Sequence, residues 1–224
     1  SANDVQVVGA YAYGTDQSSL LVIEVSNPAS PTLKGTIGTS YSQTMHVVGS
    51  YAYVADYFAG LRVIDVSNPE SPSLAGQYDT SGDASGVFVS GSYAYVADSG
   101  AGLQVIDVSN PGSLTRVGGY ESGEARYVDV EGNKAYVADG GAGLQVIDVT
   151  NPNGPVRLGR YASTGHARGV DVVGNIAYLA DGDAGLDIID VSAPANPTRI
   201  GVRDTGGFAH EVQVVGNYAS VADD

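Results

Sequence analysis

One phrase recurs along the whole chain, V-x-G-x-Y-A-Y-x-A-D, with its glycine at Gly9, Gly49, Gly91, Gly132, Gly174 and Gly216, in steps of 40, 42, 41, 42 and 42 residues. A fixed period of this size restricts a chain to architectures that set one supersecondary unit against the next. A second phrase follows each of the first five copies. It reads Leu21-Val-Ile-Glu-Val-Ser-Asn-Pro, then Leu61-Arg-Val-Ile-Asp-Val-Ser-Asn-Pro, with relatives from Leu103, Leu144 and Leu186. The sixth copy reads only as far as Ala222-Asp223-Asp224, so the sequence holds five complete repeats and half of another.

Within one repeat, Tyr127-Val-Asp-Val-Glu alternates, Gly132-Asn133 supplies a tight turn, and Lys134-Ala-Tyr-Val-Ala resumes an extended run, which together predict a hairpin. Gly140-Gly-Ala-Gly then reads as a loop and Leu144-Gln-Val-Ile-Asp-Val as a third strand. Asn151-Pro152 opens a turn, and Val156 to Tyr161 makes a fourth strand. No stretch carries a helical apolar period. Four short strands per repeat match the blade of a β-propeller. Apolar residues on both faces of strands such as Val63-Ile64 fit blades covered on both sides.

The expected fold is therefore all-β: a propeller of four-stranded antiparallel blades occupying 1–224 as one domain. The blades are expected at about 4–40, 43–81, 85–123, 125–164 and 167–206, with a half blade at 209–224. Either the chain has six blade positions, the last filled by a hairpin at Val212 to Asp223, or it is a fragment of a larger propeller. A half blade leaves the edge of Asn217 to Val221 unpaired, and exposed strand edges invite association, so a partner or a second copy is expected there.

The Leu-x-Val-Ile-Asp-Val core resembles the LVIVD-repeat family over nearly the whole chain. The resemblance implies a propeller fold and a secreted or surface location in bacteria and archaea. It implies no common enzymatic activity or ligand.

The chain has no cysteine, which removes disulfides, zinc-thiolate sites and thiol nucleophiles. Acidic residues outnumber basic ones, 25 to 10, for a net charge of −15. That balance argues against a nucleic-acid partner and against anionic membrane surfaces, since both need a basic patch. No apolar run approaches the roughly 18 to 20 residues that span a bilayer, and Ser1 to Asp4 is not a basic leader, so the chain as given is expected to be soluble, without membrane insertion.

Two acid series recur with the repeat. Asp16, Asp56, Asp98, Asp139, Asp181 and Asp223 each precede an irregular loop and are expected to accept hydrogen bonds from that loop's own amides. Glu24, Asp65, Asp107, Asp148 and Asp190 precede the Ser/Thr-Asn-Pro turn, or Ser-Ala-Pro in the fifth copy, and are read as structural in the same way. Function is sought instead in what differs between blades. In propellers generally, the segment leading into the innermost strand and the loop between the second and third strands lie on one face, around the central channel. Six positions before each hairpin glycine stand Asn3, Gln43, Ser85, Arg126, Arg168 and His210; three positions before it stand Gln6, His46, Phe88, Asp129, Asp171 and Gln213.

Arg126, Arg168, His166 and His210, with Asp129 and Asp171 close by, are thus the candidate ligand-binding residues, and paired guanidinium donors suit a carboxylate or phosphate. The alternative is that these charges pair internally with Asp129, Asp171, Glu124 and Glu211 in a solvated mouth. Asp181-Gly-Asp183-Ala-Gly185 has a fragment of a calcium-loop pattern, making Asp181 and Asp183 candidate metal ligands and calcium a candidate cofactor; no other cofactor is expected. No H-E-x-x-H or G-x-S-x-G context surrounds His46, His166 or His210, so no catalytic residue is assigned. The expected function is a non-enzymatic, secreted or cell-surface binding or scaffold module that presents loops to a protein or polymer partner. The rival is a channel-mouth site for a small anion or a divalent cation, as in a hydrolase or lyase.

Overall fold

The computed structural model describes residues 2–224, and among them there are strands, turns and loops but no helix. The first sheet comprises β1 (Ala2–Val8), β2 (Tyr11–Asp16), β3 (Ser19–Glu24) and β4 (Thr32–Gly38). The second comprises β5 (Met45–Val48), β6 (Tyr51–Ala55), β7 (Leu61–Asp65) and β8 (Ser73–Tyr78), and the third β9 (Gly86–Ser90), β10 (Tyr93–Ala97), β11 (Leu103–Asp107) and β12 (Thr115–Tyr120). The fourth comprises β13 (Tyr127–Glu131), β14 (Lys134–Ala138), β15 (Leu144–Asp148) and β16 (Val156–Tyr161). The fifth comprises β17 (Gly169–Val173), β18 (Ile176–Ala180), β19 (Leu186–Asp190) and β20 (Thr198–Arg203). The half repeat forms a two-stranded sheet of β21 (Ala209–Val215) and β22 (Tyr218–Asp223). In every sheet the strands pair in chain order.

Local chemistry dictates this pattern. Glu131 pairs with Lys134 across the Gly132 turn, whose φ of 61° is the left-handed conformation that a two-residue hairpin demands. The outer strand carries a one-residue bulge. Val146 faces Gly159, but Ile147 faces Arg157, and the same irregularity recurs between β3 and β4, β7 and β8, and β19 and β20. The acids before the Asn-Pro turns behave as the sequence predicts: Asp65, Asp107, Asp148 and Asp190 accept the amides of Ser67, Ser109, Thr150 and Ser192 at 2.8–2.9 Å.

The chain divides into two compact units, Ser1–Val96 with Ile106–Arg116, and Ala97–Val105 with Val117–Asp224. In the first unit, Tyr53, Leu61, Val63, Val87, Val89, Val96 and Ile106 share one core, and Leu20, Val22, Met45, Val47, Val54 and Ile64 another. In the second, Leu144, Val146, Val170, Val172, Leu179 and Ile189 do the same. Each such side chain contributes about 1.5–3 kcal/mol on burial.

Two further contacts join successive sheets within a unit. The innermost strands bond through side chains: Asp4 accepts the amide of Met45 and Gln6 that of Val47, both at 2.7 Å, and His46 Nδ1 accepts that of Val89 at 2.8 Å. Farther out, the bulge glycine of one sheet receives the proline turn of the next, Asn-Pro in three cases and Ala193-Pro194 in the fourth. A Cβ on Gly76 would lie 1.8 Å from the Pro111 carbonyl oxygen, and the contact recurs at Gly35 with Pro69, Gly118 with Pro152 and Gly159 with Pro194.

The first and last strands expose apolar side chains. Val5 and Val7 of β1 are 66% and 62% exposed, whereas their counterparts Met45 and Val47 are 6% and 5% exposed. Tyr218 of β22 is 81% exposed. Among the described residues, no helix is long and apolar enough to cross a membrane.

Candidate functional site

The side chains that vary between repeats sit on the short segment leading into each innermost strand. Eight positions before the hairpin glycine stand Tyr41, Asp83, Glu124, His166 and Phe208; six before it stand Gln43, Ser85, Arg126, Arg168 and His210. The recurring aspartate after the second strand anchors this segment. Asp139 accepts the amide of Glu124 at 2.6 Å, and Asp181 accepts the amide of Gly165 at 2.8 Å and the Ser163 hydroxyl at 2.6 Å. Asp56 accepts the amides of Ser40 and Tyr41 and pairs with Arg62 Nη1 at 3.2 Å.

These aspartates are structural, as the sequence suggests, but the amides they hold lie 15 or 16 residues upstream rather than in their own loops. Asp16 is the exception, bonding Ser18 and Ser19 of its own turn. The loop beyond each aspartate then touches the next lead-in segment, through bridges of Gly140 with Ala167 and Gly182 with Ala209. At two of these positions glycine leaves room for the lead-in side chains: a Cβ on Gly140 would crowd the Glu124 carboxylate, and one on Gly182 would meet the Phe208 ring at 2.9 Å.

Within the second unit these segments assemble a charged cluster. Glu124 is its pivot, accepting from Arg126 Nη2 through one carboxylate oxygen and lying 3.0 Å from His166 Nε2 through the other. Arg168 stands over the Phe208 ring, its guanidinium carbon 5.1 Å from the centroid. Phe208 in turn lies 5.0 Å from the His210 ring, and His210 Nε2 lies 3.2 Å from Asp224. Arg168 forms no ion pair among the described residues, and its Nε, like that of Arg126, is buried without an acceptor. Burial, and then the neighbouring Arg126, lower its pKa from the ordinary guanidinium value. The cluster sets two carboxylates, Glu124 and Asp224, against two guanidiniums, and it is Arg168, the guanidinium without an ion-pair partner, that suits an incoming anion.

Asp129 and Asp171 have a different setting. Asp129 accepts the amides of Val172 at 2.8 Å and Val130 at 2.7 Å, and Asp171 accepts that of Val214 at 2.5 Å. Both thus join innermost strands, in the manner of Gln6 and His46. Asp129 is 9% exposed, and burial, opposed by its amide bonds and reinforced by Asp171, raises its pKa from 3.8 to about 6.

The folded state therefore keeps a proton that the unfolded chain releases near pH 4. The cost of ionising Asp129 is absent below that point, grows as pH rises, and is complete above about pH 6, where it reaches roughly 3 kcal/mol. Carboxyl-carbon NMR titration should place the Asp129 midpoint near 6; a midpoint near 4 would contradict this.

The calcium-like loop does not gather its acids. The Asp181 carboxylate is fully buried against Ser163 and Gly165, Asp183 is exposed, and among the described residues no group of three or more metal-ligating side chains is positioned to hold an ion. The structure brings Arg126 and His166 together through Glu124 and sets Arg168 and His210 against Phe208. Glu124 pairs with Arg126 and His166 as one of the internal partners expected from sequence, whereas the stacking role of Phe208 was not assigned there. The signal was available, since Phe208 shares with Glu124 and His166 the same offset from the hairpin glycine.

Sheets of four strands repeated at this period define the protein as a β-propeller of the all-β class. The LVIVD repeat model matches residues 1–39, 40–80, 81–121, 122–163, 164–205 and 206–224, and the chain belongs to that family. No curated protein matches it in sequence. Among solved structures, a "putative 6-phosphogluconolactonase" from Bacteroides fragilis superposes with a TM-score of 0.84 at 14% identity, covering 99% of this chain and 76% of that one. Its counterpart from Bacteroides uniformis gives 0.82 at 15% identity, with 99% and 77% covered. The computationally designed Ika8 protein gives 0.75 at 10% identity, with 99% and 68% covered. At these identities the likeness concerns the fold alone.

Proposed function

We propose that this protein is a non-enzymatic, secreted or cell-surface binding module, and that it engages a small anionic group on a protein or polymer partner through Arg168 and Arg126. The observation carrying this reading is the Arg168 guanidinium without an ion pair, held over Phe208 beside Glu124, which is already shared by Arg126 and His166, while Asp224 lies against His210. The net charge of −15 does not oppose it, because at physiological ionic strength the Debye length is about 8 Å and the local guanidiniums govern a close anion. The acidic composition suits salty extracellular water, and the half blade β21–β22 with its exposed Tyr218 offers a second surface for association.

The second reading, a hydrolase acting on an anionic substrate, draws on the same cluster together with the names of the Bacteroides neighbours. A thermal-shift screen with phosphate, small carboxylates, divalent metals and EDTA tests both. Phosphate or a carboxylate at ten times its Kd should raise Tm by about 3–6 °C, by linkage, and Arg168→Gln should remove the shift. A response to metals and EDTA alone would contradict the anion reading.

A further inference from the structure

The outer strands segregate charge. Lys34, Arg116, Arg157, Arg160, Arg199 and Arg203 lie on β4, β12, β16 and β20, so six of the ten basic residues stand on the last strand of a sheet. Among the described residues no acidic side chain does, although acids outnumber bases 25 to 10 in the chain as a whole. The pattern is fullest on β16, where Arg157 and Arg160 are exposed and form no ion pair among the described residues. On β20, by contrast, Arg199 is committed to the buried Asp187 at 3.2 Å. The β16 bulge sets Arg157 opposite Ile147 and Arg160 opposite Gln145, two positions apart on β15, so the two guanidiniums share one face of the sheet. Val156, opposite Asp148, falls on the other face, and both it and Leu158 are exposed.

The same strand is an open edge held in place. It pairs only with β15, and among the described residues none of its backbone groups bonds beyond that sheet. Its anchors are the Tyr161 hydroxyl, which donates to Asp187 of β19 at 2.9 Å, and Gly159, which seats the Pro194 turn. An edge fixed in this way loses little freedom on receiving a partner. Unpaired amides and carbonyls invite an added strand, and charge on the edge decides which strand is admitted. Two copies of β16 side by side would set arginine against arginine, whereas a strand bearing carboxylates would pair with both guanidiniums.

We propose that β16 is a docking edge for an extended acidic segment of a partner protein, one in which acidic and apolar residues alternate and which adds to the sheet as a fifth strand. In this mode of recognition backbone hydrogen bonds supply the grip and side chains the selectivity. Alternation sends the carboxylates of the added strand to the face of Arg157 and Arg160 and its apolar residues to the face of Val156. A sulfated or phosphorylated polymer matches the charge, but it offers the β16 carbonyls no row of amide donors and Val156 no apolar surface, so the edge favours a peptide. The site is separate from the Arg126 and Arg168 cluster, which stands on the segments leading into the innermost strands β13 and β17.

Fluorescence anisotropy of a labelled peptide of alternating glutamate and valine, titrated with the full chain, tests this. The wild type should saturate the signal. Arg157→Glu/Arg160→Glu should weaken binding about tenfold or more, two ion pairs having become repulsions, while Tm stays within about 3 °C because both side chains are exposed. Of two such peptides N-methylated on alternate residues in opposite phase, one should lose binding and the other keep it, since a strand turns only alternate amides toward its neighbour. Arg168→Gln should bind the peptide as the wild type does, which separates this edge from the anion cluster. No saturable binding, equal binding of the two N-methylated peptides, affinity unchanged by the double substitution, or tighter binding of heparin than of the peptide would each overturn the proposal.

Discussion

Gly76→Ala is expected to destabilise the protein by about 2–4 kcal/mol, while Gly201→Ala should cost less than about 1 kcal/mol. Both glycines occupy the bulge of an outer strand, Gly76 facing Val63 and Gly201 facing Ile188. Their surroundings differ. The Cβ at position 76 would lie 1.8 Å from the Pro111 carbonyl oxygen, a backbone atom that no rotamer change can move aside. At position 201 the nearest atom is Ile188 Cδ1 at 3.4 Å, because the following sheet, β21–β22, has no turn of this kind to bring against it.

Relief at position 76 would require the second sheet and the Pro111 turn to separate, loosening the core that holds Leu61, Val63 and Ile106. Urea unfolding followed by tyrosine fluorescence, the chain having no tryptophan, measures both variants. Equal losses at the two positions would show that the turn does not seat against the glycine.

The second large effect is expected at Asp56. Its carboxylate is fully buried, accepts the amides of Ser40 and Tyr41, and pairs with Arg62, whose side chain is only 13% exposed. Asp56→Ala strands a nearly buried guanidinium together with two amides, for a loss of about 3–5 kcal/mol. Asp139→Ala removes the same kind of anchor, but its side-chain partner is the neutral Gln145, so about 1–3 kcal/mol is expected. The double variant Asp56→Ala/Arg62→Leu should recover part of the loss, since it leaves no buried charge unpaired. A double variant no more stable than the single one would contradict this. Asp139→Ala carries a further consequence: the residue fixes the amide of Glu124, so loss of anion binding should accompany the loss of stability.

The architecture was legible because its signals are local. Gly132-Asn133 specifies a hairpin whatever surrounds it, and Asp65 finds its acceptor role two residues away, at Ser67. The half-repeat hairpin expected at Val212 to Asp223 is observed as β21 and β22. The less legible contacts join residues distant in sequence. The amides held by Asp139 and Asp181 belong to segments 15 or 16 residues upstream, and Asp129 reaches Val172 across a whole repeat, so neither partner shows in a local pattern. Phe208 gives no charge signal and becomes visible as a site residue only when Arg168 is seen over its ring. The seat of Pro111 on Gly76 likewise depends on the bulge that precedes it.

The central claim, an anion-binding module without catalytic turnover, is tested most directly by calorimetric titration of a 6-phosphosugar lactone into the wild type and Arg168→Gln. The wild type should give a saturable heat of binding with no heat flow beyond the protein-free hydrolysis of the lactone, and Arg168→Gln should weaken binding at least tenfold, the loss expected for one charge-assisted contact of about 1.4 kcal/mol or more. Sustained heat flow from accelerated hydrolysis that disappears in Arg168→Gln would show the cluster to be catalytic, and binding unchanged by the substitution would show that the anion is held elsewhere.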